Sequence, residues 1–155
     1  MRTAYRVIAY LIALGVLVQA ASIAYALFGL SAWVETGGVL DKAAMESETT
    51  DFSGVGGFPL HGINGQLVIP LFVLVLLVVA FFAQVRGGLK WAGIIVGLVV
   101  LQVLLGMLGR SLVGLGALHG LNALALFVVA VVAARVPGVE RPGSGRPSRL
   151  AEPAA

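Results

Sequence analysis

The sequence predicts an all-α integral membrane protein, a four-helix bundle built from two helical hairpins in parallel repeat. Three observations carry this. Hydrophobic residues make up 59% of the 155 and charged residues only 11%, with a mean hydropathy of +1.03. That balance would cover a water-soluble domain in exposed apolar surface. The apolar stretches run for about twenty residues or more without strand-like alternation. Lipid offers no partner to an unpaired backbone group, so the spanning elements must be helices. Finally, Leu60-His61-Gly62-Ile63-Asn64-Gly65 returns as Leu118-His119-Gly120-Leu121-Asn122-Ala123, each copy opening an apolar run, and the chain holds no other histidine.

The first span, helix 1, is expected at residues 5–30, after Arg2 and Arg6. A signal peptide is the competing reading, but its apolar core usually runs only about 7 to 15 residues. Gly15, Gln19, Ser22, Ala26 and Gly29 recur at helical spacing, and helix interfaces in lipid favour such small or polar groups, so this side should face the bundle. Residues 31–58 form an acidic aqueous loop with Glu35, Asp41, Glu46, Glu48 and Asp51 against Lys42. Residues 39–47 have the makings of a short interfacial helix, although Gly37-Gly38 and the polar run after Met45 favour loose order.

Helix 2 is expected at residues 59–85. Pro59 sits in its first turn, where a missing N–H costs nothing, and Pro70 should bend it. Arg86-Gly87-Gly88 makes a turn into helix 3 at residues 89–109, with Lys90 and Trp91 as interface anchors. Helix 4 is expected at residues 112–136, closing a membrane domain of residues 1–137. The tail, residues 138–155, is rich in Arg, Pro, Gly and Ser and should be disordered.

Orientation follows from the basic residues. Arg2, Arg6, Arg86, Lys90, Arg135, Arg141, Arg146 and Arg149 fall on one side, against Lys42 and Arg110 on the other. Both termini should therefore be cytoplasmic in a multi-pass protein of the cell membrane. The pI near 9.8 is explained by these topology determinants, so nucleic acid is set aside as a partner. With no cysteine, disulfides, zinc–thiolate sites and covalent c-type haem attachment are excluded.

The repeat extends beyond the histidines. Leu17-Val18-Gln19 in helix 1 matches Val100-Leu101-Gln102 in helix 3, each followed by a helix opening with Leu-His-Gly-x-Asn. Because both copies start from the cytoplasm, the pseudo-twofold axis lies along the membrane normal and sets His61 opposite His119. Facing imidazoles in a four-helix bundle are a way to hold a cofactor. The sharpest expectation is one b-type haem with His61 and His119 as axial metal ligands. Asn64 and Asn122, three residues on, would help orient the rings. Arg110 would meet a propionate or simply snorkel at its helix end. One obstacle is depth. His61 precedes Arg86 by 25 residues and His119 precedes Arg135 by 16, which would stagger the rings by roughly 13 Å at 1.5 Å per residue.

The run from Leu60 to Phe127, with His61, Leu101-Gln102-Val103-Leu104-Leu105-Gly106 and Leu118-His119, resembles one four-helix half of haem A synthase. It is also similar to small uncharacterised four-helix bacterial membrane proteins with an LHxxN-like motif. The resemblance implies that His61 and His119 occupy ligand positions. It departs from the synthase at Phe58, where an acidic residue would stand, at Gly62, where Arg would stand, and in lacking a loop cysteine pair. It therefore implies a haem-binding or degenerate scaffold half rather than a complete enzyme.

The expected function is electron transfer or haem handling, with a membrane redox partner or a homodimer as company. An alternative is a non-redox accessory protein whose His and Asn residues only fasten helices. Another is a quinone site in which His119 or Gln102 bonds a carbonyl oxygen. No nucleophile–base pair, phosphate-binding loop or carboxylate dyad appears.

Overall fold

A computed structural model describes residues 1–47 and 49–138. Four of its helices are long and apolar enough to cross a membrane: helix 1 (Arg2–Glu35), helix 2 (Gly57–Ala80), helix 3 (Gly88–Leu108) and helix 4 (Val113–Arg135). The protein is an all-helical, multi-pass membrane protein. Helix 1 packs on helices 2 and 4, and helix 3 packs on the same two. The bundle is thus a ring in which 1 faces 3 and 2 faces 4 across the diagonals, the arrangement that a parallel hairpin repeat requires.

Helix 1 outruns its expected end because Ala32-Trp33-Val34 stays apolar and Thr36 supplies the stop. The Thr36 hydroxyl donates to the Trp33 carbonyl at 2.9 Å, and Gly37 then turns the chain with φ of 102°, a conformation open to glycine. At 34 residues the helix is about 51 Å long, well beyond a hydrocarbon core of about 30 Å, so one end stands clear of the lipid. In the loop that follows, Lys42–Glu46 forms a single short helix, capped by the Asp41 carboxylate accepting from Ala44 N–H at 2.8 Å.

The loop returns along helix 1 with its backbone in close contact. Gly54 is buried against the Tyr25 carbonyl and Gly57 against that of Ser22, with no room for a Cβ at either position. This accounts for Gly54 and Gly57 in the Ser53-Gly54-Val55-Gly56-Gly57 run. The side of helix 1 expected to face inward does so: Gly15, Ser22 and Ala26 are buried.

Helix 2 departs from expectation twice. Where Pro70 should bend it, residues Asn64–Val68 form a π-helical turn. Such a widened turn commonly relieves a ladder that proline interrupts, and it is frequent at functional sites. The helix also ends at Ala80 rather than near Val85. Residues 81–85 are apolar enough to continue it, but Gln84 takes φ of 49° and Val85 pairs with Gly138, while Arg86 N–H bonds the Pro137 carbonyl at 3.1 Å. Apolarity here reflects burial of Ala83 and Val85, not helix. Of the expected disordered tail, residues 138–155, only Gly138 is described, and it is held by this pairing with Val85; residues 139–155 lie outside the described residues.

The core is lopsided. Tyr5, Ala9, Ile12, Val16, Val73, Leu76, Ile95, Val99, Leu126 and Ala130 pack into one cluster at the end that carries the N-terminus. There the Tyr5 hydroxyl donates to the Gly88 carbonyl at 3.1 Å. Toward the other end the interior is not filled. From Ser111 to Gly120 helix 4 and its lead-in have no buried residue, and it is in this half that both histidines sit.

Candidate functional site

Each histidine leans across to the neighbouring helix of its own hairpin. His61 Nδ1 lies 3.0 Å from the carbonyl oxygen of Gln19, and His119 Nδ1 lies 3.0 Å from that of Gln102. A carbonyl oxygen only accepts, so Nδ1 carries the proton in both rings. Each neutral imidazole then holds its lone pair on Nε2. Neither Nε2 has a hydrogen-bond partner among the described residues, and neither is sealed from the surrounding space.

The asparagines do not touch the rings. Asn64 is buried and donates from Nδ2 to the Gly15 carbonyl at 2.9 Å and to Gln19 Oε1 at 3.2 Å. Asn122 donates to the Leu98 carbonyl at 2.9 Å and to Gln102 Oε1 at 2.6 Å. Gly15 stands four residues before Gln19 and Leu98 four before Gln102, so each asparagine clips one turn of the adjacent helix. The result is the same three-residue clamp twice: a glutamine whose main chain takes the histidine and whose side chain takes the asparagine. The rings are oriented through the clamped helix, as supporting bonds do for a metal-ligating imidazole.

The clamps bring the rings together. Their centroids are 6.2 Å apart with planes inclined by 51°, so the 13 Å stagger does not arise. Helix 2 ends at Ala80, 19 residues after His61, whereas helix 4 ends at Arg135, 16 after His119. The remaining difference of three residues amounts to roughly 4–5 Å of rise, and the π-helical turn shortens it further.

Both rings line a cavity of about 690 Å³, with Gln19, Gln102, Gly65, Gly106, Gly116 and Arg110 among its walls. That volume lies inside the usual range for ligand pockets, about 300–1,000 Å³. Arg110 is exposed at the cavity and makes no ion pair or hydrogen bond among the described residues. Among the described residues no third His, Cys, Asp or Glu joins the histidine pair. The site therefore offers two nitrogen lone pairs, one free guanidinium and the carboxamides of Gln19, Gln66 and Gln102 in a wall otherwise made mostly of glycine and apolar residues.

Two features escape sequence reasoning. Gly106 lets His119 take its position, since a Cβ there would lie 3.1 Å from the ring. Nothing in the local pattern distinguishes it from the many other glycines, whereas Gly65, which makes room for the Gln19 amide, closes the first copy of the duplicated motif. The anchoring carbonyls of Gln19, Gln102, Gly15 and Leu98 are main-chain atoms, which no residue type announces. No family model matches this chain, and neither the curated proteins nor the solved structures contain a match to it.

Proposed function

We propose that the protein binds one b-type haem between His61 and His119 and serves electron transfer or haem handling in the cytoplasmic membrane. The observation that carries this reading is the spacing of two rings already in the ligating tautomer. A metal–imidazole bond is about 2.0–2.1 Å, and a five-membered ring with bonds near 1.33 Å has its centre about 1.1 Å from each atom. Two imidazoles on opposite sides of one metal then have centres about 6.3 Å apart, beside the 6.2 Å here.

The donor set also favours haem over a bare ion. A structural or catalytic zinc takes three or four protein ligands, whereas haem brings four equatorial nitrogens of its own and needs only the axial pair. The glycines at 62, 65, 106 and 116 line the cavity where a flat macrocycle needs room, and Arg110 suits a propionate. A quinone fits less well. Its carbonyl oxygens require a donor, which Gln102 could supply from its amide, but an imidazole whose proton sits on Nδ1 presents an acceptor, so the matched histidine pair would have no part in it. Both termini would be cytoplasmic, with the haem toward the outer face, within reach of a membrane redox partner.

The test is the visible absorption spectrum of detergent-purified protein from haem-sufficient cells, oxidised and reduced. A low-spin, six-coordinate spectrum is expected. Absence of any Soret band would overturn the haem reading and leave a protein whose clamps serve only to fasten helices.

A further inference from the structure

The two halves of the site are built on one plan but are not equivalent, and at two matched pairs of cavity-lining positions the first hairpin carries a bulky side chain where the second carries glycine. Superposing the repeat by its clamps shifts helix 1 onto helix 3 by 83 positions (Gln19 to Gln102) and helix 2 onto helix 4 by 58 (His61 to His119). By that correspondence Ile23 matches Gly106 and Phe58 matches Gly116, and all four line the cavity. The large residue of each pair belongs to the first hairpin.

The surroundings exaggerate the contrast. On the first hairpin, Phe58 meets Phe52 edge-on at 6.4 Å, and Phe52 stacks on Trp33 at 5.7 Å. These rings come from helix 2, the loop and the end of helix 1, so the long connection builds an aromatic wall. The second hairpin has only the short link from Gly109 to Leu112. Gly106 and Gly116 are exposed there, and a Cβ on Gly116 would meet nothing within 4 Å. Arg110 stands on this same link.

We propose that the cavity has one working mouth, between helices 3 and 4 at Gly106 and Gly116, through which a planar tetrapyrrole with anionic side chains enters. The first hairpin is the closed back of the site. The bound macrocycle would have one edge open at the glycines and a carboxylate toward Arg110. That open edge is the face at which haem or an electron is exchanged. This rests on the haem reading above.

The experiment follows uptake of added hemin by haem-depleted protein in detergent, comparing wild type with Gly116→Ala, Gly116→Leu, Gly116→Phe and a control, Gly114→Phe. Gly114 is exposed in the same turn, also has open space at its Cβ and does not line the cavity. It matches Gly116 in exposure and in the open space at its Cβ. Uptake is expected to slow with side-chain size at position 116, by at least about tenfold for Phe, with the Gly114→Phe rate equal to wild type. Helix content and monodispersity of each variant confirm folding, and the Ala and Leu members carry the test should Phe fail to fold. Equal uptake rates across the folded Gly116 series, or equal slowing by Gly114→Phe, would overturn the proposal. Failure of the wild type itself to give a Soret band would overturn instead the haem reading beneath it.

Discussion

Asn64→Ala isolates the clamp from the cofactor, and its cost can be worked from the geometry. Asn64 is 6% exposed and loses two interhelical hydrogen bonds, to Gly15 O and Gln19 Oε1. Such bonds in a membrane average about 0.6 kcal/mol and reach about 1.7, so two give about 1–3 kcal/mol. Neither acceptor is stranded by the change. The Gly15 carbonyl keeps its place in the helix ladder of Arg2–Glu35, and Gln19 lines the cavity, where solvent can reach its amide. The loss should thus stay near 1–2 kcal/mol. Asn64→Asp keeps the shape but replaces both donors with acceptors and brings a charge to membrane depth, which alone costs about 2.5–3.5 kcal/mol at a helix centre. It should be clearly worse than Ala. Reversible unfolding in bicelles, by steric trapping, measures both. A double-mutant cycle with Gln19→Ala should return a coupling of about 0.6 kcal/mol, and the Gln102–Asn122 cycle, with its 2.6 Å contact, a larger one. If Asn64→Ala leaves stability unchanged, or Asp is no worse than Ala, the clamp reasoning is wrong.

Three other changes bear on the site and its setting. His61→Ala and His119→Ala should each abolish a six-coordinate spectrum while costing the bundle no more than about 0.6–2 kcal/mol, so that each variant remains folded and loses only its ligation; retention of the wild-type spectrum by either variant would remove that residue from the ligand pair. Tyr5→Phe deletes the buried hydroxyl bond to Gly88 and should destabilise the packed end by about 0.5–1.5 kcal/mol, read in the same unfolding assay, with no effect on the visible spectrum, because Tyr5 belongs to the core cluster and not to the cavity. For topology, a cysteine at Ser47 should react with an impermeant thiol reagent added to intact cells and one at Thr3 should not; the reverse pattern would invert the orientation that the basic residues imply.

The number of spanning helices, their class and the duplicated motif are determined by the sequence alone, because each rests on local physics. Transfer to lipid depends on the side chains of one stretch at a time, and a repeat is visible wherever its residues survive. The same locality explains the errors. Val85 is as apolar as a helix residue but is buried by pairing with Gly138, and hydropathy does not separate the two. Residue counting likewise misplaced the histidines in depth, since where helix 2 stops and where it widens into a π-helical turn are settled by packing against helices 1 and 3. Only the tertiary structure decided that Asn64 and Asn122 hold glutamines rather than rings, because the clamp's anchors are backbone carbonyls common to every residue. It also decided that the bundle closes at one end and opens at the other. Ile23 reads in sequence as an ordinary apolar position and Phe58 as the replacement of an acidic residue; only the bundle sets both in the wall of one cavity with Gly106 and Gly116.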